Sequence, residues 1–172
     1  MNVAVLDTQA VFSRGPDERL ADRLCEALRD SGHGVELVRI PFDHVAHQTI
    51  VDQMLAVRLV ALPNVERMIG LRFPAYYARH DDKVVWLGHG GDVQAAALPN
   101  TASGRAVRRA VQAAEHAYLG EARRIYARSP AARECLGRAA GLACEVLPAP
   151  SGGPDEPDDA IAWASVVAEL TR

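Results

Sequence analysis

The pentapeptide Gly-His-Gly-Gly-Asp at residues 88–92 combines an imidazole, a carboxylate and an open backbone. The imidazole of His89 can exchange a proton near neutral pH, and Asp92 can accept a proton or bind a hydroxyl. Gly90 and Gly91 carry no side chain, so a ligand can approach their backbone closely. The same residues can also form a flexible glycine turn in which His89 caps a neighbouring element, and both interpretations stay open.

Arg14 and Gly15 form a candidate phosphate site in the stretch SRGPDER, which precedes a helical pattern. The first backbone N–H groups of a helix are unpaired, and its dipole attracts anions. However, Pro16 removes one donor, and the stretch matches neither G-x-G-x-x-G nor the P-loop. We therefore favour an ordinary helix start. Ser129 before Pro130 is interpreted first as a helix cap and second as a ligand-binding residue.

Residues 72–80, RFPAYYARH, bring cationic, phenolic and imidazole side chains together in a short stretch. Arg72, Tyr76 and Arg79 can stack on a sugar and hydrogen-bond its hydroxyls. They can equally form a packed corner of the fold, and the residue types alone favour neither interpretation.

His44 and His47 lie three residues apart beside Asp43, a spacing that can hold a metal on a helix. No third ligand with suitable spacing is visible, so a solvated loop is favoured. The three cysteines also lack metal-ligand spacing and are expected to be reduced thiols. We therefore expect no metal and no other cofactor.

The composition excludes several classes of protein. The chain has 172 residues, of which 49% are hydrophobic, and a formal net charge of -3. Such a chain can bury a core as one domain, unlike a disordered segment. Its positive charges are not clustered, so no nucleic-acid partner is expected. No apolar run can span a bilayer and no signal peptide is recognisable, so we expect a cytoplasmic protein with no transmembrane segment.

Apolar runs and helical spacing alternate along the chain. Strands are expected at residues 2–7, 34–41, 66–72, 83–89, 123–129 and 143–150, and helices at 16–33, 48–62, 102–122, 130–141 and 158–172. This alternation predicts an α/β fold, a single Rossmann-like three-layer domain with a mostly parallel sheet. Ligands of such sheets bind outside the carboxyl ends of the strands, so we expect the site to be built from the loops that follow them.

Residues 69–90, IGLRFPAYYARHDDKVVWLGHG, resemble a run in the N-terminal half of retaining GT-B glycosyltransferases of family 4. Further motifs, from TQAVFSRG after the first strand to EVLPAP near residue 150, extend the resemblance over residues 1–150. The resemblance implies a GT-B N-terminal half that binds the sugar acceptor without a metal. It also implies that residues 151–157 are a linker to a donor-binding half that is absent, and that residues 158–172 form a helix packing back on the domain.

The chain also departs from that family's pattern. Relatives usually have a second glycine where Pro16 stands, and basic residues where residues 90–92 follow His89. The resemblance therefore carries over only two functional positions, Gly15 and His89. His89 would orient an acceptor hydroxyl.

Two functions from different classes follow. The first is a glycosyltransferase-like protein that binds a nucleotide sugar or sugar acceptor, is inactive alone and works with a partner subunit. The second is a non-catalytic interaction or regulatory protein that forms a homodimer or binds a full-length glycosyltransferase through the former interdomain cleft. A small hydrolase or nucleotide-binding protein is a third interpretation, for which the sequence offers no activated nucleophile.

Overall fold

A computed structural model describes residues 1–9, 16–43, 45–150 and 157–172 of the chain. Within these residues the strands form one parallel sheet in the order β2-β1-β3-β4-β5-β6. The strands are β1 Asn2–Gln9, β2 Gly34–Pro41, β3 Arg67–Gly70, β4 Lys83–Leu87, β5 Arg124–Ala127 and β6 Glu145–Val146. The predicted α/β, Rossmann-like three-layer fold is thereby confirmed.

The central strands are buried on both faces. Every residue of β3 and β4 is buried, as are Val3 to Thr8 in β1. Near-continuous apolar runs are what a parallel sheet covered by helices on both sides requires. β2 lies at the sheet edge and is only half-buried.

Helices cover both faces of the sheet. They are α1 Pro16–Asp30, α2 Ile50–Val57, α3 Gly91–Ala96, α4 Ala102–Leu119, α5 Pro130–Ala140 and α6 Pro157–Thr171. One face packs against α1 and α6, through side chains such as Leu24 and Val166. The other face packs against α2, α3, α4 and α5, through side chains such as Met54 and Val111.

Helix α6 returns across the sheet to the strand ends. Trp163 meets Trp86 of β4 edge-to-face, with ring centroids 6.2 Å apart. Near the end of the helix, Arg67 of β3 donates a hydrogen bond from Nη1 to the carbonyl of Leu170 at 3.2 Å. Because these contacts join α6 to both ends of the strands, the helix is part of the same core.

The structure differs from the sequence expectations mainly at element ends. The helix expected at 48–62 is a 3₁₀ turn, His47–Thr49, followed by α2, which ends at Val57 so that the chain can turn towards β3. The last strand, expected at 143–150, has only the residues Glu145–Val146. The short helix α3 was not expected, because six residues carry too little periodicity to predict one.

No helix among the described residues combines the length and apolar character needed to cross a membrane.

Candidate functional site

The end of β1 and the loops after β3, β4 and β5 meet at the end of the sheet where the strands finish, here called the carboxyl edge. The strand order changes direction at β1, which pairs with β2 on one side and β3 on the other. Such a switch point leaves a crevice outside the carboxyl ends of the strands. The opposite edge, where the strands begin, is called the amino edge.

A buried ion pair joins the end of β1 to the loop after β3. Asp7 is fully buried, and Arg72 donates to its two carboxylate oxygens from Nε and Nη2, both at 2.6 Å. The hydroxyl of Thr8 accepts a hydrogen bond from the backbone N–H of Ala75 at 3.3 Å. The Arg72 side chain, fixed by this pair, remains 16% exposed at the switch point.

The residues after Arg72 fold into a buried aromatic turn, Ala75–Tyr77. The hydroxyls of Tyr76 and Tyr77 donate to one oxygen of Glu115, Oε1, at 2.5 and 2.7 Å. Burial, reinforced by the Glu115 carboxylate, raises the pKa of both phenols well above the usual range. Tyr76 is 0% exposed, so its position does not offer its ring to a ligand.

The loop after β4 carries the one exposed histidine at this edge among the described side chains. His89 is exposed, whereas Gly90 and Gly91 are buried. A Cβ at Gly91 would lie 2.6 Å from a ring carbon of Phe73 and 2.8 Å from Oε1 of Glu115. Gly91 is therefore needed for close packing against the aromatic turn, rather than for the approach of a ligand.

The loop after β5 lies against the loop after β4. A Cβ at Gly88 would clash with Nη2 of Arg128, so the guanidinium passes over this glycine. Ser129 acts as the N-cap of α5, because its hydroxyl accepts a hydrogen bond from the backbone N–H of Ala132 at 3.1 Å. Both Arg128 and Ser129 remain partly exposed.

Two of the predicted ligand-binding residues do not join this group. Arg79 is exposed and directly precedes His80, whose ring contacts the carbonyls of Val65 and Asp82 at 3.1 Å, before β3 and β4. Arg79 thus belongs to the segment that leads from the aromatic turn to the start of β4 at the amino edge. Tyr76 is inside the core, as described above.

Further positions from the sequence analysis lie outside the described part of the structure. Residues 10–15, which include Arg14 and Gly15, are not described, and neither are His44 and residues 151–156 of the expected linker. Asp92 belongs to the first turn of α3, but its side chain is not described.

The described residues include no group of three or more histidine, cysteine, aspartate or glutamate side chains that could hold a metal. Cys25, Cys135 and Cys144 are free thiols. Burial raises the pKa of the Cys25 thiol to about 11, so this residue is a poor nucleophile at neutral pH.

Two cavities, of about 450 and 340 Å³, lie at the amino edge beside β2 and β5.

Sequence reasoning missed four polar residues that build the carboxyl edge, namely Asp7, Thr8, Glu115 and Arg128. Asp7 had a detectable signal, since a carboxylate ends an otherwise apolar strand and must find a partner when buried. Glu115 follows the buried Val111 and Ala114 on one side of α4, which marks it as a buried polar group. Arg128 and Thr8 carried no comparable signal.

The arrangement is suited to holding a polar ligand. It combines an exposed imidazole, a guanidinium fixed by Asp7 and a second guanidinium over Gly88, all on loops that contact one another. An imidazole can accept a proton from a hydroxyl, and guanidinium groups bind phosphate or carboxylate oxygens.

No model of a known protein family matches the chain, and no curated protein matches it either.

Proposed function

We propose that the chain is the acceptor-side half of a glycosyltransferase-like protein. Its carboxyl edge binds a sugar acceptor or nucleotide sugar, and transfer of the sugar requires a donor-binding partner subunit. The proposal rests on the resemblance of residues 69–90 to family 4 glycosyltransferases together with the geometry of the carboxyl edge.

One observation carries the proposal, the unbroken set of contacts from β1 to β5 at the carboxyl edge. Asp7 of β1 binds Arg72 after β3, the Phe73 ring packs on Gly91 after β4, and Arg128 after β5 covers Gly88. Neighbouring loops that support one another keep a site preorganised, which lowers the entropic cost of binding. The exposed His89 lies in the middle of this set.

The roles follow from the chemistry of the side chains. His89 accepts a proton from, or orients, a hydroxyl of the acceptor. Arg72 and Arg128 attract the negative charge of a phosphorylated ligand. The proposal assigns no step to a metal ion, in keeping with a reaction whose leaving diphosphate is stabilised by basic groups.

A second candidate function is an interaction protein that binds a partner through the same edge. The internal roles of three predicted site residues favour it. Tyr76 is bonded to Glu115, Gly91 is packed against Phe73, and Ser129 caps α5. When residues of the carboxyl edge are engaged in contacts within the fold, fewer of them are available to bind a small ligand.

A ligand screen separates the two candidates. The purified chain is sized by light scattering and its melting temperature is measured with UDP, GDP, ADP, TDP and their sugars. A ligand at about a hundred times its Kd stabilises the chain by about 2.7 kcal/mol, which raises Tm by several degrees. Such a shift supports the glycosyltransferase-like function.

The opposite result has an equally definite meaning. No shift with any of these compounds, together with a stable dimer, would contradict ligand binding and favour the interaction protein. Transfer of a sugar by the pure chain without a partner would contradict the requirement for a second subunit.

A further inference from the structure

Gly88 and Arg128, the residues that directly follow β4 and β5, lie in contact at the carboxyl edge. A Cβ at Gly88 would clash with Nη2 of Arg128, and it would lie 2.7 Å from Cζ and 2.9 Å from Nε of the same side chain. All three of these atoms belong to one guanidinium, which therefore lies against the Cα of Gly88. Any larger residue at position 88 would displace this guanidinium.

The backbone conformation of Gly88 does not itself require glycine. Among the described glycines, positive φ angles occur at Gly32 and Gly141 only, so residue 88 has a conformation that other residues can adopt. Glycine is needed here for its space alone. At Gly91 the corresponding space is filled by the Phe73 ring and by the buried Glu115, whereas at Gly88 it is filled by a cation.

The backbone of Arg128 is fixed by the elements on either side of it. Its N–H donates a hydrogen bond to the carbonyl of Leu87 at 2.7 Å, which continues the ladder between β4 and β5 by one residue. The next residue, Ser129, is the N-cap of α5. Because strand and helix hold the backbone, the place of the guanidinium depends on the contact of its side chain with Gly88.

The place of a guanidinium matters more than the place of a simple point charge. Its N–H groups form a planar fork that binds two oxygens of one phosphate group, so the fork must face the ligand correctly. At Gly88 the guanidinium meets the loop that carries the exposed His89, to which the proposed function assigns the hydroxyl of the ligand. Residue 88 therefore decides where the cation stands relative to a ligand at this edge.

We propose that Gly88 is a specificity-determining residue, because the room that it leaves for Arg128 makes the carboxyl edge selective for ligands that carry a phosphate or diphosphate group. Arg128 is the residue that binds the phosphate oxygens, and Gly88 is a positioning residue that acts through it. The inference rests on the proposed function for the location of the ligand, and it adds which group of the ligand is recognised beside β4 and β5.

Gly88→Ala tests the inference, because the flexible end of Arg128 can move aside without a shift of the strands. The variant should fold, with a melting temperature within about 4 °C of the wild type. Its affinity for UDP and for pyrophosphate should fall at least about tenfold, whereas any affinity for uridine, which has no phosphate, should be unchanged. Isothermal titration calorimetry gives all three affinities.

Gly137→Ala is the matched control, because it adds the same methyl group in α5 where nothing lies within 4 Å of the Cβ. It should change none of the three affinities. A readout without ligand is the NMR signal of the Nε–H group of Arg128, which is identified by its absence in Arg128→Ala. This signal should shift in Gly88→Ala and stay in place in Gly137→Ala.

A double-mutant cycle tests whether Gly88 acts through Arg128. In the Arg128→Ala background, Gly88→Ala should weaken the binding of UDP no further, because the displaced group is already absent. Additive losses of affinity would overturn the link between the two residues. If Gly88→Ala alone does not fold, the affinities of Arg128→Ala for UDP and uridine still decide whether this guanidinium selects phosphate.

The outcomes distinguish this inference from the proposed function. Unchanged binding of UDP and pyrophosphate in Gly88→Ala would overturn the inference and leave the proposed function standing. If the wild type binds neither compound, the inference is also overturned, whereas the proposed function survives if an uncharged sugar acceptor binds. Binding of pyrophosphate but of no sugar or nucleotide sugar, with a loss in Gly88→Ala, would support the inference and contradict the proposed function.

Discussion

At the amino edge of the sheet, buried cations pair with partly exposed carboxylates, whereas at the carboxyl edge a histidine stays exposed and a buried carboxylate binds two tyrosines. Both edges belong to the same parallel sheet. The amino edge is called the closed end below, because its buried cations are paired with carboxylates. The carboxyl edge is called the open end, because His89 is exposed there.

The closed end is centred on Glu121, which binds two cations. Lys83, the only lysine of the chain, is 0% exposed and donates to Glu121 at 3.1 Å and to the carbonyl of Tyr118 at 2.8 Å. Arg58 binds both oxygens of Glu121 at 2.7 and 2.8 Å and stacks over the Tyr118 ring. These cations lie at the carboxyl ends of α2 and α4, where helix dipoles favour positive charge.

A second buried cation secures the same edge near β3. Arg67 binds Asp82 at 2.7 Å and the last turn of α6 through the Leu170 carbonyl. The backbone N–H of Asp82 lies 3.1 Å from Nδ1 of His80, and Nε2 of the same ring lies 3.1 Å from the carbonyl of Val65. Strand starts, helix ends and α6 are thereby joined by paired charged groups and backbone carbonyls.

At the open end the buried polar groups bind side chains of the loops instead of pairing with buried cations of the strands and helices. Glu115 and Asp7 hold loops in place, and the residues that reach the surface are His89, Arg72 and Arg128. We therefore expect substitutions at the amino edge to change the free energy of unfolding, and substitutions at the exposed carboxyl edge to change binding.

The largest effect is expected for Glu121→Ala, which leaves the buried Lys83 without its carboxylate. Removing one partner of a buried ion pair costs about 3 kcal/mol, and Glu121 lies at the low end of such costs because its side chain is 39% exposed. Urea unfolding measures the loss. Glu134→Ala, at an exposed pair with Arg138, is the control and should change stability by less than about 0.5 kcal/mol. Equal losses of unfolding free energy in the two variants would contradict the stabilising role of Glu121 at the amino edge.

Acid should weaken the same end of the molecule. Hydrogen bonds from Arg58, opposed by burial, hold the pKa of Glu121 below its ordinary value. Burial alone would raise the pKa of Asp82, but Arg67 and Arg123 lower it overall. Because the folded-state pKa values are depressed, this stabilisation is present above the ordinary carboxyl pKa, about 4.3, and is lost as the pH falls below it.

Glu121→Gln provides the measurement for that pH dependence. The variant should be less stable than the wild type at pH 7, and should lose less stability between about pH 5 and pH 3 because one of the two depressed carboxyls is absent. Urea unfolding curves over this range give both quantities. Parallel losses in variant and wild type would show that other groups govern the acid response.

The smallest change in stability is expected for His89→Ala at the open end. The exposed His89 ring makes only a long 3.4 Å contact with the carbonyl of the adjacent Gly90, so the free energy of unfolding should change by less than about 0.5 kcal/mol. The affinity for whichever nucleotide sugar binds should nevertheless fall about tenfold, because one hydrogen bond to the ligand is lost. His116→Ala, on the exposed side of α4, should leave the affinity unchanged. A large loss of stability in His89→Ala would mean that the open end is structural as well.

The fold followed from the sequence much more closely than the site did. Alternating apolar runs predicted the parallel sheet, and β2 Gly34–Pro41 has the boundaries expected for it. Of the candidate site residues, the structure places His89, Arg72, Gly90, Gly91 and Ser129 at the carboxyl edge. It places Tyr76 inside the core, and it places Arg79 in the exposed segment between the aromatic turn and β4.

What the sequence by itself determined was the order of elements and the face that each one buries, because hydrophobic periodicity is a local property of neighbouring residues. The tertiary structure alone decided which polar groups meet. Arg72 finds Asp7 on a strand 65 residues away, and Tyr76 finds Glu115 on a helix 39 residues away. A buried polar group must be paired, but its partner is selected by the elements that pack around it, and no local pattern records that choice.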